Sequence, residues 1–211
     1  MIVLGSGHLA DALAAEIEPH KHVAERLAFI AEDITDHDDK VKLSRIVTLC
    51  TDAVDADYRV IVIVSQVPPG WTRGLHAMIA AHVFYQADTI IVRNAVSRLH
   101  HPEQFIIGCE DPAMPLPISY QQYLVLHDAP VLQMSYESAE LAKCAINYAL
   151  AKQIDLANEL DAIASSVGAS YADVEKALRG DRRIGPHAYL RPGSANQHLQ
   201  RDVRTLERLK K

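Results

Sequence analysis

The sequence predicts an α/β fold in two parts: a layered domain of mostly parallel strands over residues 1–127, and an all-helical domain with a long central helix over residues 128–211. Three observations predict it. Short apolar runs recur between helix-like stretches in the first part, the rhythm of buried parallel strands joined by crossover helices. From Ser135 onward apolar residues recur at three- and four-residue spacing with no Pro or Gly before Gly168, as one long helix requires. Between the two lies "EDPAMPLPISYQQYLVLHDAP", which holds four of the ten prolines (Pro112, Pro115, Pro117, Pro130) and is expected to contain the boundary.

In chain order, "MIVLG", "LAFIAED", "RVIVIVSQV", "DTIIV" and "QFIIG" predict strands, because each is a short apolar run between helix-like stretches. "HLADALAAEIE", "KVKLSRIVTLCTDAVDA" and "GLHAMIAAHVFYQ" predict the helices between them. After the long helix, "YADVEKALRG" follows the turn "VGAS", and a last helix begins near "NQHLQRDVRTLERLKK".

Composition narrows the function classes. A balance of 21 Lys+Arg against 27 Asp+Glu, net charge -6, argues against a nucleic-acid surface. Three cysteines (Cys50, Cys109, Cys144) in no metal-type spacing, with no signal peptide before them, argue against a disulfide framework and for a reducing cytoplasm. No apolar run approaches the length of a membrane span.

The first chemical motif is "GSGHLA", directly after the first strand. In a dinucleotide-binding, Rossmann-like fold Gly5 makes the tight turn, Gly7 admits a pyrophosphate to the backbone, and Ala10 lets helix pack on strand. The alternative is a tight β-α turn without a ligand. Such a fold also needs an acid at the end of its second strand, about 20 residues on, for the adenosine ribose. Between Pro19 and Leu27 there is no room for a strand, a helix and a strand; Glu25 is the nearest acid in register, and Glu32 or Asp33 would come from a different strand end. All three are expected to be solvated charges.

Further motifs carry a resemblance. "VIVIVSQVPPGWTRGL", "HHPEQFIIG", "SAELAKCAINYALAKQIDLANEL", "VGASYADVEKALRGDRRIG" and "LRPGSANQHLQRDVRTL" resemble, in the right order, segments of the UDP-glucose/GDP-mannose dehydrogenases. The helical half is the specific part. The resemblance implies NAD-dependent oxidation of a nucleotide-sugar alcohol in two steps to the carboxylate, through a thiohemiacetal on a cysteine. It places Lys143 and Asn147, one helical turn apart, at the reacting oxygen and an ordered water, where an ammonium and an amide stabilise oxyanion charge. It places Asp202 as the aspartate that holds the water, and the Pro-Pro-Gly turn at Pro68 beside the cofactor. Read without it, Lys143 is a surface lysine and Asn147 a polar helix residue.

This chain departs from that pattern in four places. The cysteine position is occupied by His198, and an imidazole serves as a base for a first hydride transfer but cannot replace a thiolate in the second oxidation. Cys144 points about 100° away from Lys143 around the helix, a packing position. The family's glutamate loop is missing before "RNAVSRLHHPEQ", where Arg93 and Arg98 remain as phosphate contacts or solvated charges. The cofactor region is short, and the family's C-terminal UDP-binding domain is expected to be absent. The expectation is a divergent homologue that binds NAD and a sugar nucleotide, is a homodimer through its Ala-rich long helix, and falls short of four-electron oxidation; the alternative is a catalytically inactive binding or regulatory dimer.

Overall fold

A computed structural model describes residues 1–87 and 95–210. The chain divides into two compact units, Met1–Lys143 and Cys144–Lys211. The expected break at residues 127/128 falls too early, because Val131–Ser135 is a strand that completes the sheet of the first unit.

That sheet has six strands in sequential order: β1 (Ile2–Ser6), β2 (Leu27–Glu32), β3 (Val60–Ile63), β4 (His82–Gln86), β5 (Phe105–Cys109) and β6 (Val131–Ser135). All neighbours pair in parallel except β4 and β5. β2 and β3 are buried along their whole length, as strands covered on both faces must be. The expected helix "GLHAMIAAHVFYQ" resolves into α3 (Trp71–His76) and strand β4. Its apolar residues fit either period over so short a run, and the β-branched and aromatic "HVFYQ" decides for strand. The expected strand "DTIIV" and Arg93 lie outside the described residues.

Helix α1 (His8–Ile17) packs on the face carrying Leu27, Phe29, Ala31, Val60 and Val62, together with α4 (Ala95–His100) and α5 (Ile118–Leu124). Helix α2 (Lys40–Asp55) lies against β2 but buries Ile46, Cys50 and Ala53 outside that core, on the opposite face. The crossovers β1-α1-β2 and β2-α2-β3 step the same way along the sheet with their helices on opposite faces. They therefore have opposite hands, and one of the two is of the rare left-handed kind. Beyond the carboxyl ends of β1 and β2 the chain thus leaves for opposite faces, and the crevice expected between such connections is where open α/β sheets bind ligands.

Two buried contacts lock this unit. Glu16 on α1 lies 3.2 Å from His127 Nε2, both side chains almost fully enclosed. Gly108 on β5 leaves space for the first turn of α6 (Tyr136–Ser166): a Cβ there would stand 3.0 Å from that of Ala139 and 3.1 Å from Tyr136 Cα. The Tyr136 hydroxyl then donates to the carbonyl of Val83 at 2.6 Å.

The second unit holds the rest of α6, α7 (Tyr171–Gly180) and α8 (Gln197–Leu209), close to the expected helices. Tyr171 packs on Ala157 and Ala164, and its hydroxyl donates to the Leu190 carbonyl at 2.8 Å. Among the described residues no helix is long and apolar enough to cross a membrane.

Candidate functional site

At the crevice, Gly5 and Gly7 both have positive φ (136° and 100°), which glycine alone adopts readily. Packing also demands them. A Cβ on Gly5 would sit 1.9 Å from the carbonyl oxygen of Ala31, and one on Gly7 would sit 3.0 Å from Asp33 Cβ. Ala10 is buried in the core between α1 and the sheet. Gly7 caps α1 without a side-chain partner, so the first amides of this ten-residue helix have no side-chain acceptor there.

The strand beside β1 is β2, in register Ser6 with Glu32. Glu32 is not the solvated charge expected from sequence: it is 5% exposed. Ser6 Oγ donates to its carboxylate at 3.0 Å, Arg45 Nε on α2 lies 3.1 Å away, and its own N–H donates to Ser65 Oγ at 2.7 Å. Asp33, half-buried, follows at the mouth of the turn, while Glu25, the acid nearest in register, is exposed before β2 begins. An acid therefore does stand at the end of the strand flanking β1. Counting residues missed it because the chain passes from α1 straight to that strand.

Pro68 follows β3, further along the sheet, half-buried, and its carbonyl accepts from Trp71 N–H at 3.1 Å. The amides of that turn point to a side chain the sequence did not flag. Gly70 N–H and Thr72 N–H donate to the two oxygens of Glu140 at 2.5 and 2.8 Å, and Glu140 is completely buried. Burial raises the Glu140 pKa against the lowering effect of these bonds.

In the helical unit, Asn147 and Asp202 come together. Asn147 Nδ2 donates to Asp202 Oδ2 at 2.6 Å. Arg201 donates through Nε to Oδ1 at 2.7 Å and through Nη2 to Oδ2 at 2.9 Å. Arg201 and Asp202 are 1% and 0% exposed, a fully enclosed ion pair. Lys143, buried rather than on the surface, precedes Asn147 by one turn of α6; His198, half-buried, precedes Asp202 by one turn of α8. The cysteines Cys50, Cys109 and Cys144 are all buried, and burial pushes the Cys50 thiol up to about 12, which suits packing rather than nucleophilic attack.

The segment "LRPGSANQHLQRD" is a braced helix entrance. Asn196 caps α8 by accepting from the N–H groups of His198 and Leu199 at 3.1 and 3.0 Å. Asn158 grips Gly193 through both its N–H and its carbonyl, at 2.8 and 2.9 Å. The same loop lines a cleft of about 460 Å³ with Arg179, His187, Tyr189 and Arg191 on its walls. Arg179 is held there by Glu175 and by the carbonyls of Pro186 and Ala188. Arg98, by contrast, pairs with Glu103 at the surface.

A parallel-type sheet with a glycine turn at its crevice, followed by a helical unit that encloses an Asn-Asp-Arg cluster, defines a Rossmann-like α/β protein with an appended helical segment. Residues 137–211 match the model of the UDP-glucose/GDP-mannose dehydrogenase family, central domain. The chain is 32% identical over 118 residues to a UDP-glucose 6-dehydrogenase of Pseudomonas aeruginosa, covering 54% of this chain and 26% of that protein. It is 34% identical over 96 residues to UDP-glucose 6-dehydrogenase 1 of Arabidopsis thaliana, covering 44% and 20%. The solved UDP-glucose dehydrogenase of the archaeon Pyrobaculum islandicum is similar with a TM-score of 0.71 and 25% identity, over 87% of this chain and 45% of that one. Residues 137–211 belong to the nucleotide-sugar dehydrogenase family, and the chain spans less than half the length of these relatives.

Proposed function

We propose that the chain recognises a sugar nucleotide and NAD as a divergent nucleotide-sugar dehydrogenase homologue that does not complete the four-electron oxidation. The buried Asn147-Asp202-Arg201 cluster carries this reading. Enclosing a charge is costly unless it is paired, and a fold of this size does not need one at that place. Its retention, with Lys143 and His198 one turn away on either helix, supports a kept ligand site. The Asp202 oxygens meanwhile accept from three donors, which commits the carboxylate to holding Asn147 and Arg201. His198 can take up a hydroxyl proton, but it offers no thiolate to add to an aldehyde.

The residues present fit NAD. The side-chain-free start of α1 at Gly5, Gly7 and Ala10 suits a phosphate, and the carboxylates of Glu32 and Asp33 suit ribose hydroxyls. Pro68 is proposed beside the same cofactor. When bound, NAD supplies the hydride acceptor. The cleft with Arg179 and Arg191 suits an anionic diphosphate better than a neutral ligand. The exposed face of α6 carries Leu141, Ala145, Ala149, Leu156 and Ile163 at four- and seven-residue spacing, which supports a homodimer through this helix.

Isothermal titration with NAD and a panel of UDP- and GDP-sugars, followed by counting NADH formed per sugar, tests the reading. Binding with at most one NADH per sugar supports it; two equivalents overturn it. Binding with no NADH at all favours a regulatory dimer, the second reading, which the occupied oxygens of Asp202 support.

A further inference from the structure

We propose that Glu140 is a positioning residue: its carboxylate fixes the Pro68–Thr72 turn to α6 and thereby sets Lys143, three residues further along the same helix. Only the identity of what Lys143 binds rests on the nucleotide-sugar reading.

Helix α3 is six residues long and opens on Gly70, whose φ of 89° is left-handed. Its first amides need acceptors, and a short helix ordinarily finds them in a Ser, Asp or Asn just before it. Here the turn offers only prolines and glycine, and no side chain of its own caps it. Both acceptors come from one residue 70 positions away in sequence, at 2.5 Å from Gly70 N–H and 2.8 Å from Thr72 N–H. A carboxylate is the group that accepts from two N–H donors at once; an amide would accept from one and turn a donor on the other.

The helix that carries Glu140 is itself fixed at that point. Gly108 admits Ala139 against β5, Tyr136 bonds the Val83 carbonyl, and Glu137 pairs with Arg73 on the outer side. Glu140 is the enclosed carboxylate of this set, whereas Glu137 is exposed, and burying an ionised group costs far more than a neutral cap. Lys143, also buried, follows on the neighbouring face of the same turn. One rigid helix thus carries both the grip on the turn and the lysine.

Trp71, the only tryptophan of the chain, sits inside the turn and reports on it directly. In Glu140→Gln the account expects stronger acrylamide quenching of Trp71, amide exchange at Gly70 and Thr72 faster by about tenfold or more, and faster acetylation of Lys143. The unfolding midpoint should fall as well, because one buried N–H loses its acceptor. Glu140→Asp, which keeps both acceptors on a shorter stem, should restore part of each signal, and it serves as the variant of record if the glutamine form does not fold. Unchanged Trp71 quenching and amide exchange would overturn the proposal; so would a freed turn with unaltered Lys143 acetylation. Where wild type binds UDP-glucose, Glu140→Gln should also weaken it about tenfold. If wild type binds no sugar nucleotide, the functional reading fails, and Glu140 is still judged by Trp71 and Lys143.

Discussion

The glycine turn of the sheet unit and the buried cluster of the helical unit both look like remnants of a ligand site, but they stand on different physical grounds. Gly5 and Gly7 are required by the neighbouring strand itself, since any side chain at Gly5 would run into Ala31. The motif would persist with or without a cofactor. Arg201, Asp202 and Asn147 have no such excuse, because apolar residues of similar volume would fill their space at lower cost. A motif that packing alone explains says little about function, whereas enclosed polar residues that packing does not need say more.

The largest test of this contrast is Asp202→Ala. It leaves Arg201 enclosed without its carboxylate and should cost ~3–5 kcal/mol in chemical denaturation. A small loss would mean that Arg201 relaxes to solvent and that the pair is not costly to break. Gly5→Ala should cost ~1–3 kcal/mol in the ligand-free protein, through the clash with Ala31 and the left-handed φ. An unchanged midpoint would return that glycine to the cofactor.

A smaller effect comes from pH. Burial draws the His127 pKa down, but its bonds to Glu16 and to the His100 carbonyl and the Glu16 charge outweigh this, and it ends raised above 6.5. A raised histidine contributes stability that is complete below about 6.5 and is lost as pH climbs through its folded value. Glu140, also raised, acts in the same sense from about 4.5 upward. Thermal midpoints across this range should therefore drift down with rising pH, and His127→Gln should flatten the upper part of the drift. Smallest is Asn196→Ala, which removes the α8 cap and should cost ~1 kcal/mol. It should leave the Asn147–Asp202 bond intact, which the amide signal of Asn147 in NMR would show.

Much of the fold is legible in the residues. The long helix was readable from unbroken three- and four-residue spacing, and the last helix was expected near Asn196, one residue before α8 begins. Strand β4 was not, because "AMIAAHVFYQ" is apolar at too many positions to choose a period. Strand β6 was hidden by the prolines around it, which mark a boundary equally well. Lys143, Asn147 and Asp202 could be named by resemblance, and the structure shows all three buried. Arg201 and Glu140 escaped notice because a charged residue reads as solvated until its partner is known, and Glu140's partners lie about 70 residues away. Glu32 was named but read as solvated, because its partners Ser6 and Arg45 come from other elements.

The most direct measurement is isothermal titration of UDP-glucose into wild type and Lys143→Ala, with the unfolding midpoint of each recorded. The account predicts one site per chain in wild type and its loss in a Lys143→Ala protein that is still folded at the titration temperature. No binding by wild type, or equal binding by both, would contradict it.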